Sequence, residues 1–431
     1  MLAAAAVVAA EAAVASKPRV LLVAPRDSYR TAPYIAAARK QNVDLLIASE
    51  GRHSLAGLDA PGVEIDLRNI PASLQAILTA AKERPFAAII GTDDASSELA
   101  VQTSIQLNLP HNSLSAIRLA RRKDMARARL SAAGVAVPRF WCIDLSQPLA
   151  QQLEAVLYPC VAKPVALSAS RGVIRANNLE QMHQAITRIQ AILAPETEAV
   201  ERSILLVEEF IPGIEVAIEG LLTGGALEIL AIFDKPDPLD GPFFEESYYI
   251  TPSRHASAIQ EQISECVAQA CAAYGLREGP IHAECRINAQ GVWILEVAAR
   301  TIGGLCGRLL RFGTGYGLEE LVLLHTLGLR PDTHSAAGAA GVLMIPIPQA
   351  GILRRVEGLL AAQRVPYIEE VVIDVREGYE LIPLPEGASY LGFIFAHAPS
   401  PEEAEAALRA AHACLRIVVA PLWKAGILRA G

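Results

Sequence analysis

The sequence lacks a paired cysteine motif, a basic surplus and a long apolar run, and each absence excludes a class of protein. Its seven cysteines are scattered, with no Cys-x-x-Cys pair and an odd total, which argues against a disulfide framework or a structural zinc site and favours a reducing cytoplasm. Lysine and arginine number 38 against 46 aspartates and glutamates, so no basic field exists for nucleic acid. No run reaches the roughly 18–20 apolar residues of a membrane span. Small polar molecules are the expected partners.

The first residues are rich in alanine and valine. They lack the basic n-region of a signal peptide, and Glu11 interrupts the apolar run. We therefore expect residues 1–17 to be a disordered or misassigned start.

Strands and helices alternate in the first hundred residues. Buried strands are predicted at 20–24, 43–48 and 86–91, and helices at 32–40 and 73–82. Such alternation predicts a parallel sheet with a Rossmann-like fold, assigned to residues 18–112. Because Pro25-Arg26-Asp27 stands where a Gly-x-Gly-x-x-Gly turn would follow the first strand, we expect no dinucleotide site.

The rest of the chain predicts two further domains. A chain of 431 residues exceeds the usual size of a single core. Two helical stretches at 113–133 precede a region of mainly antiparallel strands, and we assign residues 113–330 to this second domain. Residues 331–431, with short strands and a final helix at 401–412, predict a small α+β cap. The fold class is thus α/β and α+β, in several domains.

A β-hairpin that carries two glutamates is predicted around the turn at 289–291. A three-residue turn pairs Asn288 with Val292 and places Glu284 opposite Glu296. Like charges at this separation repel, and a Mg²⁺ ion held by the two carboxylates would neutralise them. The alternative is a pair of solvated glutamates on an exposed strand face.

Alternation along the two hairpin strands assigns the neighbouring side chains. His282 has the parity of Glu284 and either lines the same face or is a buried structural histidine. Trp293, Leu295 and Val297 have the opposite parity to Glu296 and are expected in the core.

Two other segments are informative only in combination with the hairpin. A predicted strand ends at Lys163-Pro164 and is followed by a turn of small residues at 168–173, where backbone amides and a lysine are suited to phosphate, although such a turn is often only a turn. A second strand ends in Glu208-Glu209-Phe210 before Pro212-Gly213, with Glu215 following, and its alternative is a surface hairpin.

Taken in order, these motifs resemble the ATP-grasp superfamily, in its biotin-carboxylase-like branch and closest to the L-amino acid (dipeptide) ligases. The resemblance covers about residues 110–330. The matching segments are Arg122-Lys123-Asp124-Met125, Lys163-Pro164, Ser170-Arg171-Gly172-Val173, Glu208-Glu209-Phe210, Gly279 to Glu284, and Glu296 to Arg300 with Gly303-Gly304.

The resemblance implies a fold and a reaction. Residues 113–330 would form an ATP-grasp fold, in which two α+β subdomains clamp ATP. The implied enzyme is an ATP-dependent carboxylate–amine ligase that forms an amide or peptide bond through an acyl phosphate and releases ADP and phosphate. ATP and Mg²⁺ (or Mn²⁺) are the implied cofactors, and amino acids are the implied carboxylate and amine substrates. A homodimer is also suggested.

The resemblance also implies a role for each matching position. Two lysines would meet the phosphates or adenine, the turn would fold over the phosphates, the strand end would form the adenine hinge, and one glutamate would meet the ribose. These ATP-binding residues are Lys123, Lys163, Ser170, Arg171, Gly172, Glu208, Glu209, Phe210 and Glu215. Glu284 and Glu296 would hold the metal. Arg300 would neutralise the acyl phosphate and the tetrahedral intermediate.

Substrate contacts are expected on two loops. Glu246 is suited to an ammonium group and Arg254 to a carboxylate, unless both belong to a solvated loop held by aromatic packing. Gly303 and Gly304 lie in a turn that is able to present backbone amides to an anion.

One departure from the family pattern concerns the metal. Many members have asparagine two residues after the second metal glutamate, whereas this chain has Ala298. The number of metal ions is therefore left open. Two alternatives to a ligase also remain, a biotin-carboxylase-like enzyme and an ATP-binding protein without ligase turnover.

Overall fold

The computed structural model describes residues 17–51, 61–196, 198–331 and 337–422. The predicted irregular start therefore lies, apart from Lys17, outside the described residues. Contacts within the chain define two compact units. The first contains the described residues up to Leu114 and a segment that begins at Gly317, and the second runs from Ser115 to Tyr316 and includes the C-terminal part. Among the described helices, none has the length and apolar character needed to cross a bilayer.

The strands of the described residues form four sheets, in the orders β3-β2-β1-β4, β5-β8-β6-β7, β13-β12-β9-β10-β11-β14-β18-β16 and β17-β15-β19. Their bounds are β1 (Arg19–Ala24), β2 (Asp44–Ser49), β3 (Gly62–Glu64), β4 (Ala88–Gly91), β5 (Phe140–Asp144), β6 (Cys160–Pro164), β7 (Ile174–Ala176), β8 (Ile204–Glu209), β9 (Ile214–Thr223), β10 (Ala226–Lys235), β11 (Tyr248–Thr251), β12 (Gly279–Asn288), β13 (Gly291–Ala298), β14 (Ala339–Ile345), β15 (Gly351–Glu357), β16 (Ile368–Ile373), β17 (Glu380–Leu381), β18 (Gly392–Ala398) and β19 (Arg416–Ala420).

The helices lie between these strands, and a short 3-10 helix spans Cys306–Leu309. Their bounds are α1 (Thr31–Lys40), α2 (Ile70–Glu83), α3 (Asp94–Gln106), α4 (Leu114–Arg121), α5 (Lys123–Ala132), α6 (Leu149–Leu153), α7 (Leu179–Leu193), α8 (Ala199–Ser203), α9 (Ser257–Tyr274), α10 (Leu310–Thr314), α11 (Leu318–Thr326), α12 (Leu359–Gln363) and α13 (Pro401–Ala413).

The first unit has the parallel sheet that the alternating pattern predicted. Strand β1 pairs in parallel with β2 and with β4, and β2 pairs with β3. The apolar run of β1 is buried throughout its length except at its first residue, as expected for a strand inside a parallel sheet. Asp93 caps α3 through the amides of Ala95 and Ser96. The Rossmann-like prediction is confirmed.

The second unit begins with a small antiparallel sheet. Strands β5, β8, β6 and β7 pair antiparallel, and α7 packs its apolar face on them. Asn178 caps helix α7, because its side chain accepts a hydrogen bond from the amide of Gln181 at 2.9 Å.

The large antiparallel sheet joins the middle of the chain to its C-terminal part. Strands β13, β12, β9, β10 and β11 come from the region predicted as the ATP-grasp domain, and β14, β18 and β16 continue the same sheet. A shared core lies beneath them, with Ile250, Leu343, Ile394 and Leu408 all fully buried. The predicted boundaries at 112/113 and 330/331 stay predictions.

Glu320 on α11 hydrogen-bonds the segment that begins at Gly317 to the rest of the first unit. Its carboxylate accepts hydrogen bonds from Lys40 at 3.1 Å and from Gln41 at 3.0 Å, and also from the amide of Gly317 at 3.1 Å. Burial opposes ionisation, but these three donors dominate and lower the pKa of Glu320. The ionised form therefore stabilises the folded unit.

We predict that Glu320→Gln lowers the free energy of unfolding by about 1–3 kcal/mol at neutral pH, because charged hydrogen bonds to a buried carboxylate are lost. Since the pKa is depressed in the folded state, the wild-type advantage is full above about pH 5 and shrinks as the pH falls through the folded pKa. Urea unfolding at several pH values measures this difference in the free energy of unfolding. Glu83→Gln, at an exposed position of α2, is the control. An equal effect from the two variants would contradict the prediction.

Candidate active site

The predicted hairpin is formed by β12 and β13, and it places the two glutamates opposite each other. Glu284 pairs with Glu296, as the sequence predicted. The turn was predicted wrongly, because Asn288 pairs with Gly291 and not with Val292. An irregularity farther along the hairpin shifts the pairing by one residue, so that Glu284 still lies opposite Glu296.

That irregularity is a β-bulge, and it changes which face of β13 is buried. Cys285 pairs with Ile294 and the next pair is Glu284 with Glu296, so Leu295 is the extra residue. Before the bulge, Val292 and Ile294 are buried, while Trp293 and Leu295 are half-exposed.

The sequence-based core assignment is therefore corrected in part. Trp293 and Leu295 are not core residues, because the bulge interrupts the simple alternation on which that assignment relied. Val297, beyond the bulge, is buried as predicted.

A buried lysine that the sequence analysis missed lies among three carboxylates. The Lys235 ammonium, on a side chain only 3% exposed, lies 2.9 Å from Glu215 and 3.1 Å from Glu284, and it also pairs with Glu246. Burial opposes its charge, but the three carboxylates dominate and raise the pKa of Lys235 well above its usual value. The lysine is therefore charged and holds the carboxylates together.

Two of these carboxylates differ in how readily they ionise. Burial, with the nearby charge of Glu284, raises the pKa of Glu246 to about 7 despite Lys235. Burial also acts against the charge of Glu284, but Lys235 and His282 dominate and hold the pKa of Glu284 well below its usual value. The Tyr249 hydroxyl donates to Glu246 at 2.7 Å. Of Glu246 and Glu284, Glu284 is therefore the carboxylate that stays ionised.

A second buried pair supports the loop that follows β13. His282 Nδ1 lies 3.2 Å from Glu219, and its Nε2 lies 3.7 Å from Glu284. Burial opposes its protonation, but both carboxylates raise the pKa of His282 to about 9. Both oxygens of Glu219, which is fully buried, lie 3.1 Å from the amide nitrogen of Ile302. Glu219 therefore fixes the start of the loop that carries Arg300.

Arg300 and the two predicted substrate glycines lie on this loop. The Arg300 guanidinium donates to the carbonyl of Thr301 at 2.9 Å. Burial raises the pKa of Glu219, and the charge of Arg300 offsets part of that increase. Gly304 has a φ of +61°, and a Cβ there would lie 3.2 Å from the ring of Phe393. Gly303 precedes it in the same turn. Gly303 and Gly304 thus leave the loop without side chains where it bends beside the sheet.

Lys123 connects the second glutamate to the predicted phosphate turn. Its ammonium lies 3.2 Å from Glu296 and donates to the carbonyl of Leu167 at 2.9 Å. Its backbone amide donates to Val165 at 2.9 Å. A cation is thereby placed between the hairpin and the turn, and its contact with ATP stays a prediction.

The turn at 168–173 has an unusual backbone. Ala169 and Ser170 both have φ of +53°, and Gly172 has φ of +72°. A Cβ on Gly172 would lie 2.7 Å from Cγ of Pro164, so only glycine fits there. Such successive left-handed residues orient backbone N–H groups in the manner of anion-binding turns. The guanidinium of Arg171, by contrast, contacts Glu196 at 3.6 Å.

The predicted adenine hinge is held by ion pairs. Glu208 is 1% exposed and pairs with both Lys163 and Arg127. Burial opposes its ionisation, but these two cations lower the pKa of Glu208. Glu209 and Phe210 follow at the strand end, where their amides donate to carbonyls of neighbouring segments. The side chain of Glu208 therefore neutralises Lys163.

Glu215 and Arg254, like Glu246, are already paired with protein side chains. Glu215, assigned to the ribose, is 7% exposed and binds Lys235 at 2.9 Å and Arg286 at 3.0 Å. Arg254, assigned to a substrate carboxylate, binds Asp234 at 3.1 Å and Glu405 at 2.8 Å. The structure thus connects Glu215 with the carboxylate cluster and gives Arg254 an ion-pairing role.

Lys235 had a signal in the sequence. Gly224-Gly225 is a two-residue hairpin turn, and a regular register from it would place Asp234 opposite Glu215. The observed hairpin has an irregularity between Ile229 and Ala231, which brings Lys235 opposite Glu215 instead. Because opposed like charges are unfavourable, charge matching alone favoured the shifted register.

The carboxylates suit a hard divalent cation on the side of Glu296. Glu284 and Glu296 lie on paired strands, and oxygen ligands of this type are those that Mg²⁺ prefers. The group Glu215, Glu246 and Glu284 also brings carboxylate oxygens within 4.8 Å of one another, but Lys235 contacts all three. Because Lys123 likewise contacts Glu296, the metal site at Glu284 and Glu296 stays a prediction.

Comparison with known proteins is consistent with this geometry. Residues 156–308 match the family described as the ATP-grasp domain, and residues 343–420 match the family described as L-amino acid ligase C-terminal domain 2. The structure of the L-amino acid ligase from Bacillus licheniformis shares the fold, with a TM-score of 0.81 and 24% identity over 94% of this chain and 99% of that one.

Two relatives extend the comparison. The uncharacterized protein y4rH of Sinorhizobium fredii is 22% identical over 94% of this chain and 83% of its own length. Dapdiamide A synthase of Enterobacter agglomerans is 25% identical over 54% of each chain, so the match spans about half the length of that relative. The chain thus carries an ATP-grasp domain at 156–308, followed by the C-terminal domain of the L-amino acid ligases at 343–420.

Proposed function

We propose that this protein is an ATP-dependent carboxylate–amine ligase. It activates a carboxylate as an acyl phosphate, transfers the acyl group to an amine to form an amide or peptide bond, and releases ADP and phosphate. The observation that carries the proposal is the opposed pair Glu284 and Glu296, which lies between the ammonium groups of Lys235 and Lys123. Its place in an ATP-grasp domain makes phosphoryl transfer the chemistry that this pair serves.

Glu284 and Glu296 would hold Mg²⁺ (or Mn²⁺), which when bound neutralises charge on the ATP phosphates. The low pKa of Glu284 keeps this ligand ionised. Lys123 would supply positive charge toward the phosphates, as would the group of Lys163, Arg127 and Glu208, which keeps one net positive charge. The turn at 168–173 would fold over the phosphates. These contacts would bind and orient ATP.

Arg300 would act on the second half of the reaction. Negative charge develops on the acyl phosphate and on the tetrahedral intermediate formed when the amine attacks, and a guanidinium in a fixed position stabilises it. Glu219 and the amide of Ile302 hold the loop that positions Arg300. We assign Glu219 a positioning role.

Amino acids are the proposed substrates. The C-terminal domain match and the relative named dapdiamide A synthase support this class. Glu246 would accept the ammonium group of an amino acid, since its carboxylate lies beside the metal-binding pair. Gly303 and Gly304 would present backbone amides to a carboxylate. Ala298 leaves the number of metal ions open.

The cellular compartment and the oligomeric state of the protein are further proposals. The seven cysteines are free thiols, which supports the prediction that the protein works in the reducing cytoplasm. The homodimer suggested by the family resemblance stays a prediction.

We predict that purified protein releases ADP from Mg-ATP only when both a carboxylate and an amine are supplied, with amino-acid pairs as the test panel. Glu284→Gln and Glu296→Gln should each lower kcat at least about 100-fold, because charge that stabilises the transition state is removed. Glu228→Gln, at an exposed position of β10, is the control and should keep full activity. ADP release and the mass of the product are measured.

Two outcomes would contradict the ligase proposal. One is ADP release that needs a carboxylate but proceeds equally with no amine present. The other is full activity in both hairpin variants, because the account requires the two carboxylates.

A further prediction concerns Glu246. Glu246→Gln should raise the KM for one amino acid about tenfold and leave the KM for ATP unchanged, because a charged hydrogen bond to the ammonium group is lost. Steady-state kinetics with each substrate varied in turn measure the split. Glu245→Gln, at the adjacent and half-buried position, is the matched control. An effect confined to ATP would assign Glu246 to the nucleotide instead.

A further inference from the structure

The predicted phosphate turn, Ser168–Val173, is held from outside by a segment of the C-terminal part. We call this segment, Pro383–Gly387, the C-terminal latch. The amide of Gly172 donates to the carbonyl of Pro385 at 2.9 Å. The guanidinium of Arg171 donates to the carbonyl of Glu386 at 3.2 Å. The turn is thus hydrogen-bonded to the region that matches the L-amino acid ligase C-terminal domain.

The latch is itself anchored to helix α7. Both guanidinium nitrogens Nε and Nη2 of Arg188 donate to the Glu386 carboxylate, the second at 2.8 Å. The same guanidinium lies 4.9 Å from the ring centroid of Phe243. The paired hydrogen bonds raise the pKa of Arg188 and lower that of Glu386, so both stay charged. A two-bond pair of this kind has a defined geometry.

The latch has a compact shape of its own. The amide of Gly387 donates to the carbonyl of Pro383 at 2.9 Å. A Cβ on Gly387 would lie 1.9 Å from the carbonyl oxygen of Ile382, so this closed turn requires glycine. The carbonyls of Pro385 and Glu386 are thereby presented together toward Arg171 and Gly172.

The phosphate turn needs such support. Ala169 and Ser170 adopt left-handed φ values, which cost free energy and persist only where neighbouring structure enforces them. Lys123 holds the approach to the turn through the carbonyl of Leu167. The latch holds its other end at Gly172. The turn is therefore fixed on both sides.

We propose that Glu386 and Arg188 are positioning residues for ATP binding, because they dock the C-terminal latch on the phosphate turn. The C-terminal domain thereby sets the affinity of the ATP-grasp domain for its nucleotide. This inference rests on the proposed function, in which the turn covers the ATP phosphates. Neither residue touches the hairpin glutamates in the structure.

The test uses Glu386→Ala, Arg188→Ala and the charge exchange Arg188→Glu with Glu386→Arg, each in the full chain. Hydrogen exchange of peptides that contain Gly172, followed by mass spectrometry without nucleotide, reports whether the turn is held. Calorimetric titration with Mg-ATP reports affinity, and steady-state kinetics separate KM from kcat. Glu357→Ala, which removes exposed pairs with Arg355 and Arg416 elsewhere in the C-terminal part, is the control.

Each single variant should exchange faster in the turn, bind ATP about threefold to tenfold more weakly and keep kcat within about twofold, because one half-exposed paired contact is lost. The charge exchange should restore much of the protection and affinity. Circular dichroism should show that every variant is folded.

Several results would overturn the inference. Unchanged exchange in both single variants would show that the pair does not hold the turn. Faster exchange with unchanged ATP affinity would show that the latch does not position the turn for nucleotide. If the wild-type chain binds no ATP, both the proposed function and the positioning role fail. If the wild-type chain binds ATP and the variants bind it equally well, only the positioning role of the latch is contradicted.

Discussion

The neutralisation of carboxylates on neighbouring strands is the constraint on which the site depends. Glu215, Glu246 and Glu284 are brought together in a buried place, and the Lys235 ammonium contacts each of them. Removing one partner from a buried ionic group costs about 3–5 kcal/mol, because charge is left without compensation. Lys235 therefore makes it possible to keep Glu284 ionised beside Glu296, and the chemistry of a metal-bound nucleotide follows from that ionised pair.

Two β-bulges set which charged residues lie opposite each other in the large sheet. One, at Leu230 in β10, brings Lys235 rather than Asp234 opposite Glu215. The other, at Leu295 in β13, brings Glu296 opposite Glu284. Bulges are common beside active sites because they redirect side chains at the cost of only one local pairing. The large sheet then continues into the C-terminal part, which also reaches the phosphate turn through the latch.

The sequence predicted elements and order better than register. The parallel sheet follows from periodicity, which is a local property. The opposed glutamates were predicted correctly only because the bulge at Leu295 offsets the wrongly predicted turn. The turn of the hairpin and the burial of Trp293 were predicted wrongly, because a bulge is decided by contacts across the sheet. Lys235 was missed although its hairpin carried a charge-matching signal, because Lys235 lies opposite Glu215 only once the bulge at Leu230 is included. The partners of Arg254 were missed because they lie on a separate strand and helix, and one sequence does not reveal which distant charges meet.

The transfer of oxygen from substrate to phosphate tests the acyl phosphate most directly. An amino acid labelled with ¹⁸O in both carboxylate oxygens is supplied with Mg-ATP and the amine that supports ADP release, and the phosphate is analysed by mass spectrometry. One ¹⁸O atom should appear in each phosphate released, and ADP should be the nucleotide product. Phosphate without label, or label recovered in AMP, would contradict it, because the carboxylate oxygen would not have attacked the γ-phosphate.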